Sequence, residues 1–409
     1  MTQSQLSGSG CIVKRICIRS MVSFAFVLVC ICQMGIAPSP VVAWSIDTHP
    51  IIAKAATDLL PNPWRQFFTY YEWLLKETVA YPDTYYRESD PNEPPRHFID
   101  LEIWNPSDPS TGTLPQAVEE FTAEMGSAIR AKDWNSVFLD AGRLCHYMAD
   151  ATQPYHTTLF YDPQTKNGVG VHHLFESAAA AHLPEFRIVS QADVGVIEPV
   201  SNVTAFVLET AIQSHSFLSP INSTLIDEGL QWTPELANIV ENRINAAVVA
   251  TARVWYTAIT RSGSLPPELP KVDALSIVVE SVALNSTDYG IIRVHVTDLL
   301  GVKTPADVSL SVDGSTFRGQ VANVVPPVGE YVIAVPSGTY NANFVFTAQK
   351  EEYRPAVVTL PVGTPTTSNP IAVVNVPFST VVALAVMVTA LVALIWCRRR
   401  SSHGVPDHG

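Results

Sequence analysis

The sequence predicts an all-α domain followed by a β-sandwich and a single C-terminal transmembrane helix, and three observations predict it. From Trp44 to about Arg261, apolar residues recur at helical spacing. Beyond residue 272 the texture changes to short β-branched runs separated by Gly, Pro and Asp turns. Near the end, FSTVVALAVMVTALVALIW, from Phe378 to Trp396, carries no charge over about the 20 residues that a bilayer-spanning helix needs.

Taken in order, residues 1–43 read as an export signal. Lys14, Arg15 and Arg19 precede the apolar run MVSFAFVLVCICQMGIA, and small Val41 and Ala43 precede Trp44, where cleavage is expected. The helical domain occupies 44–265. Its segments include PIIAKAATDLL, WRQFFTYYEWLLKETV, PQAVEEFTAEMGSAIRA, WNSVFLDAGRLCHYMADA, TAFVLETAIQSHSFL and one long run opened by the Thr233-Pro234 cap. An Ig-like β-sandwich is expected over 272–363. It holds one histidine, His295, and shows no acid-histidine cluster, so its expected role is a spacer or adhesion module. A Pro/Thr-rich stalk at 364–377 leads to the membrane helix at 378–397. In the 398–409 tail, Arg398, Arg399 and Arg400 belong on the cytoplasmic side. These features together predict a single-pass protein of the cell membrane with its helical domain outside the cell.

At 409 residues the chain has room for two or three domains. The formal net charge of −13 argues against a nucleic-acid-coating surface, although a metal site can hold a phosphate on an acidic protein, so charge alone does not exclude a nucleotide substrate. Four cysteines lie in the amino-terminal segment and Cys397 abuts the basic run, leaving Cys145 alone in the middle. One internal thiol forms no intrachain disulfide, so stability must come from packing or metal.

The chemistry concentrates in HYMADATQPYH. His146 and Asp150 are four apart and share a helix face, TQP ends that helix, and His156 follows in the loop. Downstream, VHHLFES repeats the spacing with His172 and Glu176. With 11 histidines and 38 acids, about one such pair arises by chance, so spacing alone also fits a core histidine beside a solvated acid. The balance tips with WSIDTH, YPDTYY and PPRHFID, which add His49, Asp83 and His97. Asp47 and Thr48 read as helix caps, Asp100 as a salt-bridge or capping residue, and His182 and His215 as structural or surface residues. His173 is weighed as an alternative to His172, which alone stands four before Glu176.

These pieces, in this order, resemble the zinc-dependent phospholipase C family and its relatives, the single-strand-specific zinc nucleases, over Trp44 to Glu176. The resemblance implies a helical fold holding three zinc ions. It implies that Asp83, His97, His146 and Asp150 bind one, and that His156, His172 and Glu176 bind a second. The third would be held by His49, Asp150 and the amino group and carbonyl of Trp44. A free amine exists at Trp44 only after the preceding peptide bond is cut, and its ordinary pKa of ~8 lets zinc displace the proton. Asp83 is the candidate to orient the attacking water or take up its proton.

The implied activity is zinc-dependent phosphoric diester hydrolysis of a phospholipid, giving diacylglycerol and a phosphorylated head group. HxxxE favours it over the nucleases, which close with HxxxD, as does the lack of cysteine-rich insertions. HFID followed by an acid fits the nuclease version, so a single-strand nuclease or 3′-nucleotidase stays open. A third reading is a surface protein whose metal serves stability only; a purely structural zinc site is closed by four ligands and gives no reason for a three-ion cluster. No protein partner is implied.

Overall fold

Local sequence accounts for most of the helical half. The computed structural model describes residues 44, 48–165, 168–226, 229–283, 289–324, 327–336, 340 and 342–360. Helix α1 (Thr48–Leu59) starts on Thr48 itself, and the capping role read for Asp47 lies outside the described residues. The single helix expected over WRQFFTYYEWLLKETV is two, α2 (Trp64–Tyr70) and α3 (Glu72–Thr78). Tyr71 breaks it, with φ −105° and ψ 23°. Its ring is fully buried and its hydroxyl bonds to Asp298 in the β-rich half, so a tertiary demand overrides the helical period.

Helix α4 (Leu114–Ala131) ends on Lys132 in the left-handed conformation. The next residue, Asp133, caps α5 (Trp134–Thr152) by accepting from Ser136 N. Helix α5 stops where Gln153 turns extended before Pro154, the backbone region that a following proline favours. Then come α6 (Val171–His182), α7 (Val203–His215) and α8 (Pro234–Ser262). The Asn202 and Thr233 side chains cap the last two, accepting from Ala205 N and Leu236 N. A two-stranded hairpin, β1 (Leu225–Ile226) and β2 (Gly229–Leu230), joins α7 to α8 and had no signal in the periodicity.

Packing fixes α5 at the centre. Phe67, Phe68, Tyr71, Phe138 and Trp255 form a contiguous buried aromatic cluster, and the Trp255 indole N–H donates to Ala141 O at 2.9 Å. Gly142 lets α5 close on α3. A Cβ placed there would lie 2.7 Å from the Thr78 backbone carbonyl carbon, a distance no side chain tolerates.

The β-rich half folds as two four-stranded antiparallel sheets sharing one core. One has the order β10-β9-β5-β6, from β5 (Asp307–Val312), β6 (Ser315–Arg318), β9 (Phe344–Gln349) and β10 (Ala356–Leu360). The other has the order β3-β4-β8-β7, from β3 (Ser276–Ala283), β4 (Tyr289–Thr297), β7 (Gln320–Val321) and β8 (Glu330–Pro336). Alternate residues such as Ile292, Val294 and Val296 face Leu310, Val312 and Phe346 across the sandwich.

Three findings depart from the expectations or add to them. First, the β-rich half meets the helical half in a packed junction. Asp298 is buried and accepts from Tyr71 OH at 2.6 Å and from Leu300 N and Val302 N at 2.8 and 2.9 Å. Asn135 bonds to both Gly301 O and Lys303 N, and Val302 joins the helical core. Second, His295 does have acidic neighbours: it pairs across β4 and β8 with Glu330, and the register shift at Glu280 brings that carboxylate to 2.9 Å. Cross-strand register creates this group, which chain order does not show. Third, the single-pass membrane placement is overturned, because among the described residues no helix is long and apolar enough to cross a membrane. The segments at 1–43, 364–377, 378–397 and 398–409 lie outside the described residues.

Candidate metal centre

The geometry starts from α5. His146 and Asp150 stand one turn apart on its inner face, both buried. Asp83 comes from a widened π-helical turn, Pro82–Tyr86, a local form that recurs at functional sites. His97 ends the 3-10 turn Pro94–His97, and His156 lies in a second such turn, Pro154–Thr157. His172 and Glu176 share the inner face of α6, and His49 sits in the first turn of α1.

These eight side chains converge into adjoining groups whose ligand atoms lie within 4.8 Å of one another: Asp83, His97 and His146; His49, His146 and Asp150; His156, His172 and Glu176. Asp150 stands between them, 3.1 Å from His97 Nδ1, 3.6 Å from His146 Nε2 and 3.7 Å from His156 Nδ1. Trp44 is fully buried beside them, its indole N–H donating to Ala149 O at 2.8 Å and its ring against Phe175. His173 is exposed, lies against Ser177 and joins no group. His182 stacks on Trp232 and His215 bonds to Thr157 O, as structural residues do. Asp100 is buried at its turn, its carboxyl pushed up by burial and then by Glu102.

Backbone carbonyls fix two rings. His146 Nδ1 donates to Val79 O at 2.8 Å and His156 Nδ1 donates to His97 O at 2.6 Å, so each Nε2 lone pair faces inward. Burial holds His97 down at about 3 and lowers His146 and His156, which keeps all three neutral as metal ligands must be. Burial, reinforced by Asp83 and Glu176, pushes Asp150 well up. Burial also opposes ionisation of Glu176, but His172, at 2.7 Å, outweighs it and holds that carboxyl low.

The donor set fits a metal. Asp83 Oδ2, Asp150 Oδ1, His156 Nε2 and His172 Nδ1 are buried without a hydrogen bond, an arrangement that proteins avoid unless something else supplies the interaction. Neutral imidazoles with carboxylates are the usual ligands of catalytic zinc.

Sequence reading missed Glu93. It is buried, accepts from Tyr147 OH and from Arg96 Nη1 at 3.2 Å, and approaches His97 Nε2 at 3.5 Å. The available signal was its i,i+4 spacing to His97, hidden among prolines. A carboxylate behind a ligand histidine sets its tautomer and basicity, so Glu93→Gln should weaken zinc affinity by ~10–100-fold. Competition against a chromophoric chelator measures this, and unchanged affinity would remove Glu93 as a positioning residue.

No family model and no curated protein matches the chain. Solved structures do. The alpha-toxin of Clostridium perfringens from avian strain SWCP matches at TM-score 0.40 and 15% identity, over 76% of this chain and 91% of that one. The alpha toxin from Clostridium absonum matches at TM-score 0.41 and 12% identity, again over 76% and 91%. In this chain, the histidines and acids of the quoted motifs meet around one buried centre.

Proposed function

We propose that the chain is a zinc-dependent phosphoric diester hydrolase of the phospholipase C type, cleaving phospholipid to diacylglycerol and a phosphorylated head group. The observation that carries this reading is the convergence of eight buried His, Asp and Glu side chains into three adjoining groups, two sharing His146 and the third reached by Asp150 at 3.7 Å from His156 Nδ1. His49, His97, His146, Asp150, His156, His172 and Glu176 would hold zinc, with Asp83 and the Trp44 terminus completing a three-ion set. Zinc, when bound, supplies Lewis acidity that acidifies water and offsets phosphate charge.

The chain's own residues supply the rest. Asp83 Oδ1 is tied to Arg87 Nη1 at 3.0 Å while its Oδ2 carries no hydrogen bond, which suits it to orient a water or accept its proton. Arg87, 33% exposed on its side chain, places a positive charge where a diester would arrive. Asp150 adds a carboxylate common to the adjoining groups, and Glu176 anchors the far end through Gln153 Nε2 at 2.8 Å.

One observation favours a second reading, a single-strand nuclease: Tyr161 is exposed beside His172, with exposed Phe160 next to it in the chain, where bases could stack. The net charge of −13 opposes it. Purified protein loaded with zinc is expected to hydrolyse phosphatidylcholine and leave single-stranded DNA intact. Cleavage of DNA alone would transfer the site to the nuclease reading, and activity indifferent to chelation would end both.

A further inference from the structure

Immediately after His156 the chain presents Leu159, Phe160 and Tyr161 at 43%, 70% and 56% exposure. Three consecutive exposed apolar side chains gain nothing from folding and commonly mark a contact surface. Their backbone is nevertheless firmly held. Glu102 accepts from Leu159 N at 3.0 Å and from the Thr158 hydroxyl, and Phe160 N donates to Thr158 Oγ1 at 3.2 Å. On the return, Asp162 Oδ1 accepts from His172 N at 3.1 Å, and Val171 N donates to Pro163 O at 2.9 Å. Gly170 makes room for that carboxylate, since a Cβ there would lie 2.5 Å from it. Val169, also exposed, belongs to the same loop.

We propose that Leu159 and Phe160 seat on the surface of a zwitterionic phospholipid aggregate and deliver it to the centre, a deepening that rests on the phospholipase reading. Position supports this, because the loop bridges two candidate ligands and Tyr161 lies 6.5 Å from the His172 ring. Charge selects the occupant. The acids beneath the loop, Glu102 and Asp162, and the overall charge of −13 repel a polyanionic strand but not a surface without net charge. Apolar side chains that enter an acyl boundary bind in proportion to the area they bury.

The test compares full-length protein with L159S/F160S on phosphatidylcholine vesicles and on monomeric short-chain phosphatidylcholine. The expected result is at least about a tenfold loss on vesicles with the monomer rate within about twofold, and F160W restoring the vesicle rate, since Trp also partitions to that depth. An unchanged vesicle rate overturns the inference. So does an equal loss on both substrates, or a loss confined to single-stranded DNA cleavage. If the wild type hydrolyses neither lipid form, the phospholipase reading fails by itself. Co-sedimentation with the same vesicles then still decides the surface: loss of pelleting in L159S/F160S supports it and equal pelleting overturns it.

Discussion

Replacing Asp150 with asparagine is expected to lower phosphatidylcholine hydrolysis by at least about three orders of magnitude, ~4 kcal/mol of barrier, and to reduce bound zinc. Asparagine keeps the volume and one acceptor but removes the charge. Few positions carry more: Asp150 is fully buried, lies within 3.7 Å of His97, His146 and His156, and leaves Oδ1 without a hydrogen bond. Rate and zinc content measured on the same preparation, with helicity checked by circular dichroism, decide the matter. A folded D150N protein with full zinc and full rate would dismiss the centre as drawn.

Chelation should be felt in stability as strongly as in turnover. Without cations, the buried centre must hold Asp83, Asp150 and Glu176 close together, and burial with that repulsion already pushes Asp150 well up. Ions that bind only the folded state add ~4 kcal/mol when present at about a thousand times their Kd. For a domain of this size that corresponds to a fall in Tm of about 10 °C on removal. Scanning calorimetry before and after chelation, with zinc restored afterwards, measures it. A Tm that does not move would mean that nothing in this cavity binds metal.

Much of the centre was legible because its parts are local. His146 with Asp150, and His172 with Glu176, are single-turn pairs, and the helices beneath them follow from caps and apolar period at Asp133 and across α6. Ends of helices were equally readable at Thr233 and before Pro154. What escaped depends on partners distant in the chain. Tyr71 interrupts a helix because Asp298, more than two hundred residues on, accepts its hydroxyl. Glu93 matters only once Tyr147 and Arg96 lock it behind His97. Glu280, His295 and Glu330 meet through strand register and a bulge. The apolar run that suggested a membrane protein, at 378–397, lies outside the described residues.

The absent side chain at Gly142 has a wider reach than its size. It sets the gap between two backbones, one of which carries His146 while the other ends at the carbonyl that aims the same ring. Ligand aim is thereby a property of how two rods nest, not of rotamer choice at the cavity. Selectivity among ions of differing radius should therefore respond to a methyl group added one turn away, at a buried helix contact against Thr78.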